Sequence, residues 1–223
     1  MKATQLILAA LLISSLLSCR VSSKVKDFDD RTTDHQRIAV LPFESTITLK
    51  EKQREKISDD ELAALNLSQG KEVQNAVESY LINFNLRVHI QSQSVTNARL
   101  TEAGIDLATI REYDVTKLAE ILQVDAVVTG KIQTEKPISN ALASGLNIAK
   151  QVIRQSESPT GFITSRINTT TNRGSCSVGL FEGVEGDRLW YYREDINCGE
   201  GSETIDVIEG LMRKGARRFP YRN

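Results

Sequence analysis

The sequence predicts an α/β domain: a central mixed sheet flanked by helices, followed by an antiparallel hairpin and a final helix. Short apolar runs at 38–43 and 126–132 are typical of strands that are buried on both faces. Amphipathic segments with a 3.6-residue period lie between these runs. A third region, 178–192, holds two strand-like runs around a glycine-containing turn. This alternation indicates helices packed on a sheet.

The first predicted elements are a strand at 37–43 and a charge-rich loop or lid at 46–57. Ser58 and Glu61 then have the capping-box spacing of a short helix, which we expect to run through Leu65. A longer helix follows, because apolar residues recur on one helical face. Its face consists of Val73, Ala76, Val77, Tyr80, Leu81 and Phe84.

The alternation continues through the middle of the chain. It predicts a strand at 86–90, a helix at 95–103, a helix at 115–122 capped by Asp114, and a strand at 126–132.

The second half of the chain has weaker patterns. Residues 137–155 fit a helix with Pro137 in its first turn, although Gly145 lowers its helix propensity. Such a helix either covers the sheet, or docks on a partner or the membrane surface. Alternation then predicts a strand at 162–168, the hairpin follows, and a final helix begins at Ser202.

The N-terminus has the anatomy of a secretory signal. Lys2 precedes an almost wholly apolar run at 6–17, and the small residue Ser18 follows. A dozen apolar residues are too few to span a bilayer, which takes ~20. The last four residues, Leu16-Leu17-Ser18-Cys19, resemble a bacterial lipobox. This resemblance implies that residues 1–18 are a signal peptide and that Cys19 carries acyl chains, palmitate among them. An ordinary cleaved signal is the alternative.

The expected mature chain consists of a tether and one domain. Residues 19–36 are mostly polar and charged, which predicts a flexible lipidated tether, and 37–223 form the domain. Residues 19–223 carry 27 Lys and Arg against 29 Asp and Glu, a net charge of −2. Nucleic acid is therefore not an expected partner.

Cys176 and Cys198 are predicted to form a disulfide, because an exported pair in an oxidising compartment is typically bridged. A four-residue hairpin loop that pairs Val184 with Leu189 would place Cys176 opposite Asn197, next to Cys198. Zinc is the alternative, but no nearby histidine completes such a site, so we expect no metal or cofactor.

Residues that carry catalytic chemistry are sparse. His35 lies in the predicted tether and His89 in a predicted strand, and each is expected to be exposed or hydrogen-bonded. The sequence has no glycine-rich phosphate loop, nucleophile elbow or paired-histidine zinc motif. These observations predict a protein that is not an enzyme.

Trp190, Tyr191 and Tyr192 form one aromatic cluster in an aromatic-poor chain. Strand alternation sends Tyr191 to the face opposite its neighbours. The cluster is a candidate partner-binding surface, because aromatic residues dominate interface hot spots. Packing of Trp190 in the core is the alternative.

Three motifs, in this order, resemble a group of bacterial envelope proteins: Ile-Ala-Val-Leu-Pro-Phe at 38–43, Val-Asp-Ala-Val-Val-Thr-Gly at 124–130 and Gly-Asp-Arg-Leu-Trp at 186–190. Over roughly residues 37–195, the chain is similar to the fold shared by the curli secretion lipoprotein CsgG, the N-terminal domain of TolB, and LpoB, the activator of a penicillin-binding protein. These motifs are structural, and fold alone does not license an activity.

This resemblance implies a non-catalytic lipoprotein that is anchored in the outer membrane through Cys19 and faces the periplasm. It would act through contacts with envelope proteins in envelope assembly or maintenance. A CsgG-like secretion channel subunit or accessory factor is the alternative. Residues 135–173 lack the long alternating strands that such a pore needs, which argues against it. The partner, the pathway and the oligomeric state, including a homo-oligomer, stay open.

Overall fold

The computed structural model describes residues 20–135, 173–197 and 213–222. Its strands form one mixed seven-stranded sheet, which confirms the predicted α/β class. The strands are β1 (Arg20–Lys24), β2 (Arg37–Val40), β3 (Glu44–Thr48), β4 (His89–Gln91), β5 (Ala126–Glu135), β6 (Arg173–Glu182) and β7 (Arg188–Asn197). The described helices are α1 (Phe28–Arg31), α2 (Glu51–Arg54), α3 (Asp59–Ile82), α4 (Gln93–Glu102), a 3₁₀ turn (Ile110–Glu112) and α5 (Val115–Leu122).

Strand β5 is the centre of the sheet, whose order is β1-β7-β6-β5-β2-β4. It runs antiparallel to β6, while β2 and β3 pair in parallel with its first and second halves. Pro42 lies in the break between β2 and β3 and has no N–H to donate to β5. Gly130 sits beside this break, where a Cβ would collide with the Phe43 ring at the break and with the Ser177 carbonyl oxygen of β6. The break and the glycine together let two short strands share one edge of β5.

The sheet is covered differently on its two sides. On one side, α3 and residues 213–222 pack on β5, β6 and β7, and this core includes Val73, Val77, Leu81, Val128, Leu180 and Phe219. On the other side, α4, the 3₁₀ turn and α5 pack on β2 and the first half of β5 through Ala39, Leu41, Leu100, Leu118, Leu122 and Val127. We call these the covered side and the helix-capped side.

The two predicted helices after Ser58 are one helix, the 24-residue α3. Its capping box is present, because Ser58 Oγ accepts from the Glu61 N–H at 3.2 Å. Gln69 and Gln74, in the middle of this helix, are buried and hydrogen-bonded. Gln74 Nε2 donates to the Val40 carbonyl at 2.7 Å, so a buried amide stands where an apolar residue is the usual choice.

Other elements agree with the prediction or differ at their ends. Helix α5 has the predicted bounds, and the Asp114 carboxylate accepts from the Thr116 N–H at 2.7 Å. The segment expected to be a loop at 46–57 instead holds the end of β3 and helix α2. The predicted helix at 137–155, the strand at 162–168 and the start of the final helix lie outside the described residues.

The predicted tether is wrong for the described part of residues 19–36. Strand β1 pairs with β7 from Arg20 to Lys24, and Phe28 of α1 is fully buried. The Phe28 ring packs edge-on against Tyr221, with ring centroids 5.3 Å apart. The composition was misleading, because backbone hydrogen bonds and one aromatic anchor hold a segment that is otherwise polar. The folded domain therefore already includes Arg20, the first described residue.

Candidate interaction surface

The pleat of β7 divides the aromatic cluster. Trp190 and Tyr192 are only 3% and 0% exposed, and their rings stack with centroids 6.1 Å apart on the covered side. Trp190 also meets Phe219 edge-on at 5.6 Å. The predicted partner-binding role is therefore corrected for these two residues, which are part of the core. Tyr191 points to the opposite side, as alternation predicted, and is half-buried.

Tyr191 lies on a part of the sheet that no described helix covers. We call this the open face: it is the helix-capped side of β1, β7, β6 and the second half of β5. Its side chains are exposed or half-buried, and they are Val21, Ser23, Lys131, Gln133, Ser175, Ser177, Tyr191, Arg193 and Asp195. A sheet face with one aromatic group among small polar and charged residues suits a protein contact, in which an aromatic anchor sits within a polar rim.

The surroundings of Tyr191 hold its ring in place. The Arg188 guanidinium carbon lies 4.7 Å from the ring centroid, a cation–π arrangement. Across β6, Tyr191 pairs with Gly179, and the Phe181 ring occupies the space where a Cβ of Gly179 would be. Sequence analysis missed Arg188 and Phe181, although their places in the hairpin are signals that could have indicated them.

Arg20 and the tip of the β6–β7 hairpin lie toward opposite ends of β7. Arg20, which follows Cys19, is level with Glu194, Cys176 and Ile132 across the strands. From Glu194 back to Arg188, where β7 begins, the strand spans about 20 Å toward the tip. At the tip, Val184 is 83% exposed. Arg20 and the exposed hairpin tip are thus separated along β7.

An arginine of α1 holds the tip of the β6–β7 hairpin through ion pairs. Arg31 of α1 pairs with Glu182 and with the carboxylates of Glu185 at 3.0 Å and Asp187 at 3.1 Å. The hydrogen bond to Glu182 raises the pKa of the Arg31 guanidinium. Gly186 adopts a positive φ of 75°, which a glycine reaches without strain. Arg31 and its partners are about 150 residues apart in sequence, and no local pattern signals this contact.

The hairpin register differs from the prediction. Cys176 pairs with Glu194, and Asn197 pairs with Arg173, because the turn lies at 183–187 instead of 185–188 and a bulge lies between Leu180 and Phe181. The Cys176 thiol is free and buried, and burial raises its pKa. Cys198 lies outside the described residues, so the disulfide stays a prediction that has lost its support from the register.

The remaining candidate residues show no converging chemistry. His89 is exposed, whereas His35 is half-buried and its Nδ1 is hydrogen-bonded to the Tyr221 hydroxyl. Desolvation lowers the pKa of His35. Within the described ranges, no three His, Cys, Asp or Glu side chains converge as metal ligands would. Those same ranges contain no helix with the length and apolar character needed to cross a bilayer.

No protein-family model matches this sequence, and no curated protein does either. Among solved structures, the chain is similar to lipoprotein GNA1162 from Neisseria meningitidis, with 14% identity, a TM-score of 0.42, and coverage of 82% of this chain and 96% of that one. It is similar to the PelC dodecamer from Paraburkholderia phytofirmans, with 10% identity, a TM-score of 0.42, and coverage of 89% and 94%.

The C-terminal domain of LpoB from Salmonella enterica is also similar, with 7% identity, a TM-score of 0.34, and coverage of 77% of this chain and 93% of that one. LpoB is thus one of the three proteins that the sequence motifs suggested, while the resemblance to CsgG and TolB stays a prediction. The TM-scores are below 0.5, so the likeness to these envelope proteins is one of general fold and carries no functional conclusion.

Proposed function

We propose that this protein is a non-catalytic lipoprotein that is anchored in the outer membrane through Cys19, faces the periplasm, and acts through protein contacts in envelope assembly or maintenance. The observation that carries this proposal is the lipobox-like sequence ending at Cys19, directly followed by a strand of the folded domain. Arg20 after the cysteine supports export to the outer membrane.

The pairing of β1 with β7 determines how far the domain of such a lipoprotein can move from the membrane. A flexible tether of 17 residues would let the domain move by about 20–25 Å. Because β1 is part of the sheet, the described residues leave no such slack after Arg20. Arg20 then stays close to the bilayer, and the hairpin tip that Arg31 holds points away from it. The open face lies between the two. Several acyl chains on Cys19 would make this attachment durable.

The lipid anchor is tested by metabolic labelling with a palmitate analogue. We expect the wild-type protein and Cys176→Ser to incorporate the label, and Cys19→Ser to lose it. Because Cys176 is buried, its substitution serves as a matched cysteine control. Labelling that survives in Cys19→Ser would refute the anchor.

The contact function is tested separately, by crosslinking in cells and mass spectrometry. The full-length lipoprotein is compared with a version that lacks residues 1–18 and carries Cys19→Ser. Recovery of envelope proteins by the anchored form alone supports a membrane-held contact protein. Crosslinked assemblies that contain only this chain would instead favour the secretion channel subunit.

A further inference from the structure

Arg111 lies in a gap of the sheet edge on the helix-capped side. It belongs to the 3₁₀ turn, and its Nη2 donates to the Gly130 carbonyl of β5. That carbonyl is opposite the break between β2 and β3, where the Phe43 N–H donates to the Gly70 carbonyl at 3.2 Å instead of to β5. The guanidinium therefore takes the place of a missing strand hydrogen bond.

Two polar atoms near this gap have no hydrogen-bond partner. In the described part of the chain, the enclosed side-chain nitrogens and oxygens without a partner are Arg111 Nε and Thr129 Oγ1. Thr129 directly precedes Gly130 and is only 5% exposed. Buried polar groups are almost always hydrogen-bonded, so two unpaired atoms beside one carbonyl require an explanation.

The charge of Arg111 is also uncompensated. Glu44 is the nearby carboxylate, but it pairs with Lys131 at 2.7 Å. Arg111 forms no ion pair with any described residue, and one of its five N–H groups has a partner. Burial lowers the pKa of the guanidinium, and Glu44 offsets this only in part. A half-buried cation without a counter-charge destabilises the fold unless an anion binds to it.

We propose that Arg111, with Lys131 beside it, is the binding site for a carboxylate group. The guanidinium presents unused N–H donors, and carboxylates match its planar fork through charge-assisted hydrogen bonds. The side chain of Lys131 is 62% exposed at the rim and is paired with Glu44, so the three side chains together carry one net positive charge. The site borders the open face, so the carboxylate of a partner's acidic side chain would fit it as well as a small free anion. The site does not depend on the lipid at Cys19.

The site is tested on the full-length lipoprotein in detergent by arginine labelling with phenylglyoxal, with each residue followed by mass spectrometry. We expect 100 mM sodium acetate to slow the labelling of Arg111 about fivefold, as for a site with a Kd of about 25 mM. Sodium chloride at the same concentration should have no such effect. Arg188, which stacks on Tyr191, is the internal control and should be labelled at an unchanged rate.

A blocked glutamate peptide at the same carboxylate concentration identifies the source of the ligand. Stronger protection by the peptide than by acetate supports a partner's side chain, and equal protection supports a free anion. If neither protects Arg111 more than Arg188, the proposal is overturned. As a second measure, acetate should raise the thermal midpoint of the wild type and of Arg188→Gln, but not that of Arg111→Gln.

Discussion

The two sides of β7 use the same kind of residue for different purposes. On the covered side, Trp190 and Tyr192 are enclosed and stacked on each other. On the open face, Tyr191 keeps part of its ring accessible, and Arg188 is its described ring contact. Three consecutive aromatic residues are thus divided by the strand pleat into two that stabilise the fold and one that is available for recognition. Substitutions on β7 should therefore separate stability from binding.

The largest expected effect is on the covered side. Trp190→Ala removes a buried ring that contacts Tyr192 and Phe219, so we expect the free energy of unfolding to fall by ~3–5 kcal/mol. Urea denaturation followed by far-UV circular dichroism measures the change. Tyr191→Ala is the matched control, with an expected loss below ~1 kcal/mol. Equal losses of unfolding free energy in the two variants would contradict the difference between the covered side and the open face.

The next effect concerns the ion pair between Glu194 of β7 and Lys214. Glu194 is 3% exposed in its side chain, pairs with Lys214 at 2.6 Å and accepts from the Tyr192 hydroxyl. Lys214→Met leaves this carboxylate without its counter-charge, and we expect a loss of ~2–3 kcal/mol. Lys214→Met combined with Glu194→Gln should recover part of that loss. A double variant no more stable than Lys214→Met would show that the pair does not hold residues 213–222 on the sheet.

A smaller effect on stability depends on pH and concerns the hydrogen bond between His35 and Tyr221. Desolvation lowers the pKa of His35 in the folded state. A histidine with a depressed pKa contributes stability above its unfolded value of about 6.5, and this contribution is lost as the pH falls. Acidification from pH 7.5 to 5.5 should therefore destabilise the wild type more than His35→Gln in urea titrations. Parallel curves for the two proteins would contradict this assignment.

The smallest effect on stability, and the largest expected effect on binding, is on the open face. Tyr191→Ser should leave the urea midpoint nearly unchanged and reduce the recovery of crosslinked envelope partners at least tenfold, as for an interface hot spot. Gln133→Ser, on the same face, is the control and should retain the partners. If Tyr191→Ser recovers as many crosslinked partners as the wild type, the open face is not the contact surface.

Short-range patterns explain which parts of this fold were predictable. Helix α5 follows from its apolar period and the Asp114 cap, and the side of Tyr191 follows from the pleat. The hairpin register did not follow, because a bulge at Leu180 depends on how the strands twist together. Strand β1 was missed because a short polar strand at the sheet edge has no periodic signal of its own.

Long-range contacts account for the rest of the difference. Arg31 meets its hairpin carboxylates across about 150 residues, and Arg111 meets a carbonyl that is unpaired only because two other strands are interrupted. Neither contact has a spacing or composition that sequence could reveal. The candidate sites that depend on these contacts therefore required the structure.

The place of β1 also determines how the domain would resist a mechanical pull. If Cys19 carries the proposed lipid and is the fixed point, tension on the hairpin tip would act along β1 and β7, which pair from Arg20 to Lys24. In this shear geometry, the hydrogen bonds between the two strands carry the force together rather than opening one after another. An anchor built in this way would transmit force from a partner to the bilayer with little extension.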